Sequence, residues 1–125
     1  MNSSLYLMTG IGGLLVSIYS GLKYYAITGK GLIPPEKAKQ MISTHKIKHI
    51  IDVRTNIEYS IGHYPKAKNI PVLEMNADDF KNMNKRDGIL VYCNTGQRAR
   101  RAAENIRSYG FKNVYYIEGS YTGLM

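Results

Sequence analysis

At 125 residues with a single cysteine, the chain is long enough for one domain with a modest core and cannot close an internal disulfide. Seventeen Lys and Arg against nine Asp and Glu leave a formal net charge of +8, which points to an anionic partner: nucleic acid, anionic lipid or a small anion. Nucleic acid is set aside, because aromatic and basic residues do not interleave in an RNA-binding pattern and zinc-finger spacing is absent.

From Met1 to Leu22 no side chain is charged, and Leu5 to Leu22 is a largely apolar run about as long as a membrane span. Tyr19, Tyr24 and Tyr25 suit a membrane interface, and Lys23 can snorkel to the headgroups. A cleavable signal peptide wants positive charge near its start and a small-x-small cleavage site. Neither is present, so the run is expected to be an uncleaved single-pass anchor over residues 1–27. Every Lys and Arg follows the run, which by the positive-inside rule puts the C-terminal domain in the cytoplasm. Gly13, Ser17 and Gly21 recur every four residues, a small-xxx-small pattern that leaves homo-oligomerisation through the membrane helix open. Thr28-Gly29-Lys30-Gly31 reads as a short linker (28–31), with the soluble domain over 32–125.

Within that domain, Ile33-Pro34-Pro35-Glu36 resembles a helix entry, proline being tolerated in the first turn, and the helix is predicted to run to about Ser43. Ile47 to Val53 reads as a strand, rich in β-branched residues. Asn56 to Ile61 is expected to make one or two helical turns, Asn69 to Val72 a short strand, and Ala77 to Met83 a short helix. Ile89 to Tyr92 is the near-continuous apolar run of a parallel strand buried on both faces. After it, Ala99, Ala102, Ala103 and Ile106 fall at i, i+3, i+4 and i+7, an apolar helical stripe, with Gly110 placed to end the helix. Asn113 to Ile117 is a final strand. Strands alternating with helices imply an α/β fold, a parallel sheet flanked by helices on both faces, here joined to one N-terminal transmembrane helix.

The chemistry concentrates where the buried strand ends, in Cys93-Asn94-Thr95-Gly96-Gln97-Arg98. A tight Gly turn ahead of a helix start points successive backbone N–H groups inward as an anion nest, with the positive end of the helix dipole behind it. A thiolate is stabilised in such a nest, and Arg98 adds an always-ionised fork that suits an oxyanion. On the thiol alone the plainer reading is a buried structural cysteine. The Gly turn, the arginine and the helix start together favour the reactive one.

This loop resembles the active-site loop of the rhodanese (sulfurtransferase) family, and the resemblance spreads along the chain. Asp52-Val53-Arg54, Glu58-Tyr59, Gly62-His63, Ala67 and Asn69-Ile70-Pro71 follow the family's N-terminal signature in order. Ala102-Ala103, Gly110-Phe111, Asn113-Val114 and Glu118-Gly119 follow its C-terminal half. The resemblance implies a persulfide carried on Cys93 as the catalytic residue. It further implies a small anionic donor such as thiosulfate bound by Arg98, and a cradle made by the Asn94 to Gln97 backbone. A thiol is the expected acceptor, small molecule or protein, and no cofactor or metal is implied. The side chains of Thr95 and Gln97 are expected to line the entrance. The chain departs from the family pattern at Lys66, where glycine is usual, and at Ser120, which replaces a second glycine. It also ends at Met125 without the tryptophan-containing tail of many members.

Two other functions compete. Cysteine phosphatases share the thiolate, the cradle and the arginine. Their related loops place five residues between cysteine and arginine, whereas four separate Cys93 from Arg98, and the loop holds no Asp as general acid. A non-catalytic interaction module at the membrane is the third class, and retention of Cys93 argues against it. His45 and His49 have a zinc-like spacing on a helix, but the strand starting at Ile47 splits them. His63 is expected to make a structural hydrogen bond, and Asp52 with Arg54 to brace neighbouring loops.

Overall fold

The computed structural model of the protein describes residues 31–125. The predicted anchor over 1–27, and the predicted linker up to Lys30, lie outside the described residues. Among the described residues no helix is long and apolar enough to cross a membrane.

Helix α1 spans Pro35–Ser43, entered through Pro34 with proline at its first position, where a missing N–H costs nothing. Strand β1 covers Ile47–Asp52 and helix α2 covers Asn56–Ile61. Strand β2 is Lys68–Asn69, β3 is Gly88–Tyr92, α3 is Gln97–Ser108 and β4 is Val114–Tyr116. All strands pair in parallel, in the order β2-β1-β3-β4. The entry segment extends the edge: Ile33 N–H donates to the Tyr116 carbonyl at 3.0 Å, and Tyr116 N–H to that of Gly31 at 2.8 Å.

Every residue of β3 is buried, as its apolar run predicts, because both faces of the sheet are covered. Ile89, Val91 and Cys93 face α3, packing with Ala99, Ala102, Ala103 and Ile106 and with Phe80 and Phe111. Leu90 and Tyr92 face the other way, against Ala38 and Met41 of α1 and the buried Leu124. The predicted apolar stripe of α3 is the buried set observed, and its period of 3.6 residues explains why.

Two predicted elements take a different form. The strand expected over Asn69 to Val72 is confined to Lys68–Asn69, and Val72–Glu74 forms a single 3-10 turn. Pro71 has no N–H to donate, although Ile70 and Val72 still donate to the Asp52 and Val53 carbonyls at 2.9 and 3.1 Å. The helix expected over Ala77 to Met83 is a 3-10 turn, Ala77–Phe80, closed by an Asn76–Asp79 capping box. Only Phe80 in that turn is buried, and past it only Met83, partly buried, packs on the core, too small an apolar face to carry a helix further. A third turn, Tyr121–Leu124, was not predicted; Ser120 caps it by accepting the Thr122 N–H, and Leu124 plugs into the α1 face. Lys66 fits its turn without strain: it is exposed, its φ is not positive, and Ala67 N–H closes the turn on the Tyr64 carbonyl at 2.9 Å.

The ends of β1 and β3 are locked by a buried carboxylate. Asp52 has no exposed surface and Arg54 is 6% exposed. Asp52 accepts from the Arg54 backbone N–H at 2.9 Å, from its Nε at 3.0 Å and from its Nη2 at 2.7 Å. The Tyr92 hydroxyl donates to the same carboxylate at 2.7 Å and accepts the Tyr64 N–H at 3.0 Å. Donating to the Asp52 carboxylate raises the Arg54 guanidinium above its ordinary range. Burial, with Asp52 beside it, pushes the Tyr92 hydroxyl well above the usual phenol range, so it stays a donor.

Asp52→Asn would keep the volume and leave a buried guanidinium without its counter-charge. Breaking one side of a buried pair costs about 3–5 kcal/mol, expected as a lowered urea midpoint at unchanged slope. A loss below about 1 kcal/mol would mean that the strand ends are held by something else.

Candidate active site

Strands β1 and β3 are neighbours at the point where the sheet order reverses, with β2 outside one and β4 outside the other. Ligands of open parallel sheets bind outside the carboxyl ends of the strands at such a switch point. Cys93 follows β3 directly and Arg54 follows β1 by two residues, so the sheet topology brings both to that edge.

The sulfur takes the place of a helix cap. Gly96 is the N-cap of α3 and makes no side-chain capping bond, which leaves the first N–H groups of the helix to be satisfied by something else. Cys93 Sγ accepts from the Gly96 N–H at 3.1 Å and from the Ala99 N–H at 3.4 Å. Ala99 is the third residue of the helix, the position whose N–H a capping side chain would normally take. Two backbone dipoles and a helix N-terminus therefore converge on the sulfur and favour negative charge there. Gly96 is needed for this turn: its φ is +103°, and an added Cβ would lie 3.3 Å from Glu118 Cα. Cys93 is 1% exposed, while Asn94, Thr95 and Gln97 are exposed around it.

Of the predicted site residues, Asn94 to Arg98 surround Cys93 as one loop. Arg98 carries a partner that sequence reasoning missed. Its Nη1 and Nη2 donate to Glu58 Oε1 and Oε2 at 2.7 and 3.0 Å, a bidentate pair. The Asn94 side-chain amide donates to the same carboxylate at 2.7 Å. Glu58 is the third residue of α2, where it also closes a capping box with Thr55. Arg98 holds the Glu58 carboxyl well below the usual carboxylate range, and the Thr55 bonds act in the same direction. Glu58 in turn raises the Arg98 guanidinium, to which the Cys93 charge adds.

Behind this pair, Arg54 Nη2 donates to the Gly62 carbonyl at 2.6 Å, and its Nη1 reaches Asn94 Oδ1 at a long 3.5 Å. The Tyr121 ring lies 5.3 Å from the Arg54 Cζ, so the C-terminal turn also reaches the brace. His63 makes the structural bond expected of it: Nδ1 donates to the Tyr59 carbonyl at 2.7 Å, and the ring stacks on Tyr59 at 3.6 Å. His49 bonds Asp87 at 2.8 Å instead of pairing with His45, and among the described residues no His, Cys, Asp and Glu cluster suits a metal. A cavity of about 300 Å³ opens beside Arg98, lined by Val53, Ile57, Pro71, Val72 and Leu73 among others.

Two residues were missed, and each left a trace in the sequence. Glu58 stands in the capping-box pattern Thr55-x-x-Glu58, which explains its local role completely and so hides its second one. The Ala99 N–H could have been inferred by asking what satisfies a helix that starts on glycine.

A family profile described as a rhodanese-like domain matches residues 34–125. A tRNA uridine(34) hydroxylase of Buchnera aphidicola is 39% identical over 75 residues, covering 56% of this chain and 24% of the hydroxylase. Another, from Hamiltonella defensa, is 30% identical over 99 residues, covering 68% of this chain and 28% of its own length. The chain thus spans about a quarter of the curated relatives it matches. Among solved structures, a rhodanese-like domain protein from Staphylococcus aureus superposes with a TM-score of 0.64 at 26% identity, covering 76% of this chain and 91% of that one. A human single-domain sulfurtransferase superposes with a TM-score of 0.63 at 23% identity, covering 76% of this chain and 95% of that one. At that identity the likeness is one of fold.

Gly96→Ala and Gly119→Ala separate backbone strain from packing around the loop. Both positions have positive φ, but a Cβ at Gly119 meets nothing within 4 Å. The left-handed backbone alone costs about 1–2 kcal/mol, expected at Gly119 and exceeded at Gly96 in urea unfolding. Equal losses would show that the loop yields around an added Cβ.

Proposed function

The chain belongs to the rhodanese-like domain family, and on that footing we propose that it is a sulfurtransferase working through a persulfide on Cys93. The observation that carries the reading is the sulfur seated as the cap of α3, receiving the Gly96 and Ala99 N–H groups. In the first step the Cys93 thiolate attacks the outer sulfur of thiosulfate or a related persulfide donor. The donor's S–S bond breaks and its electron pair leaves on sulfite, or on the thiolate of the donor. The terminal sulfur of the new persulfide carries negative charge, which the Asn94 to Gln97 backbone and the helix dipole stabilise. In the second step a thiol or cyanide attacks that sulfur, and Cys93 departs as thiolate. Arg98 is assigned to the donor anion, with Thr95 and Gln97 at the entrance.

The phosphatase reading is disfavoured by the four-residue gap from Cys93 to Arg98, which leaves a tighter ring than a phosphoryl group needs. The relatives named tRNA uridine(34) hydroxylase support a second reading, in which this domain is the part of such a machine that meets tRNA. The net charge of +8 suits that polyanion. Sulfur transfer needs only the domain this chain shares with them, and the seating of the Cys93 sulfur makes it the preferred reading.

The proposal extends to placement. The uncharged Met1 to Leu22 run, with all basic residues after it, supports a single-pass membrane anchor with the catalytic domain on the cytoplasmic side. A lone thiol such as Cys93 also stays free of disulfide exchange best in a reducing compartment.

Incubation of the purified protein with thiosulfate should add the mass of one sulfur atom, removed again by cyanide and absent in Cys93→Ser. Full sulfur transfer by Cys93→Ser would end this mechanism, and hydrolysis of an aryl phosphate without any sulfur gain would install the phosphatase reading. Protease added outside intact cells should leave the domain whole and cut it once the membrane is opened. Cleavage in intact cells would reverse the assigned topology.

A further inference from the structure

The arginine assigned to the donor anion is not open to it: a carboxylate of the same chain already fills its fork. We propose that Glu58 is a specificity-determining residue that competes with anionic donors for Arg98 and so sets which donors load Cys93. This rests on the sulfurtransferase reading for the donor's identity, but the competition itself does not.

Three observations carry the proposal. The Glu58–Arg98 contact is bidentate, at 2.7 and 3.0 Å, the geometry in which a guanidinium would otherwise take an oxyanion. Glu58 also holds the Asn94 amide at 2.7 Å, so a single carboxylate ties two residues of the loop to α2. Finally, both partners are partly open to solvent, with side chains 29% exposed for Glu58 and 37% for Arg98. A buried pair would be a fixed structural bond, whereas a half-exposed one is weak enough for an incoming anion to exchange with.

The groups facing this pair define what the exchange does. Arg54 lies behind Asn94 and is committed to Asp52 and the Gly62 carbonyl. Thr55 bonds the Glu58 carboxylate from α2 itself. A thiosulfate dianion approaching Cys93 must therefore displace Glu58 from Arg98 while being repelled by its charge. A donor with less negative charge beside its sulfane sulfur pays less of that repulsion. Glu58 thus filters against small dianions and lets the exposed Asn94, Thr95 and Gln97 rim choose among the rest.

Glu58→Gln removes the charge while keeping the capping box, which Gln satisfies as well as Glu. In the full-length protein it should lower the thiosulfate concentration that half-saturates Cys93 loading by about fivefold, the scale of a part-exposed ion pair, with the maximal loading rate little changed. Independently of any sulfur chemistry, the ratio of Cys93 alkylation by iodoacetate to that by neutral iodoacetamide should rise by a similar factor. Glu58→Asp withdraws the carboxylate by one methylene and should shift both readouts the same way, by less. If no sulfur loads in any variant but the alkylation ratio rises, the filter stands and the assigned donor falls. If half-saturation and alkylation ratio both stay at wild-type values in a folded Glu58→Gln, or half-saturation moves upward, Glu58 is only a helix cap and the proposal is overturned.

Discussion

The structure depends on a carboxylate that water never reaches. Asp52 is fully buried at the end of β1 and is tolerable there only because Arg54 and Tyr92 satisfy it together. Arg54 comes from the loop after β1, and Tyr92 is the last residue of β3. Their meeting fixes the register of the two central strands at the edge where the sheet is open. The next residue is Cys93, so the sulfur inherits a position set by a buried ion pair rather than by its own loop.

From that point, stability and reactivity draw on the same groups. The helix after the loop begins on a glycine, has no side chain of its own to cap it, and takes the sulfur as its cap. Whatever favours the start of α3 therefore also favours charge on Cys93, because the same N–H dipoles serve both. The α3 stripe of small residues lets the helix lie close on β3, which keeps its N-terminus aimed at the end of that strand. A larger side chain at Ala99, Ala102 or Ala103 would lift the helix and move the dipoles off the sulfur.

Around this rigid core the polar shell is assembled from distant pieces. Glu58 comes from α2, Arg98 and Asn94 from the loop, Arg54 from the end of β1, and Tyr121 from the last turn. Each does a local job as well: Glu58 caps α2, Arg54 neutralises Asp52, and Tyr121 opens the turn that brings Leu124 into the core. Double duty of this kind makes a polar shell rigid at little added cost in ordering side chains.

The sequence by itself determined the parts whose cause is local or periodic. The apolar run of β3, the stripe of Ala99, Ala102, Ala103 and Ile106, the proline entry to α1 and the Gly turn after Cys93 each carry their physics within a few residues, so the α/β order and the loop were legible. Local pattern failed at two short pieces: past Asn69 the backbone keeps its bonds to β1 but turns at Val72 into a 3-10 turn, and beyond Phe80 only the partly buried Met83 reaches the core. Tertiary structure alone decided that Arg98 meets Glu58, forty residues away. It alone also decided that the C-terminal turn closes over Arg54. A contact across that separation leaves no periodic mark on the chain, because it exists only once the strands that carry its partners have paired.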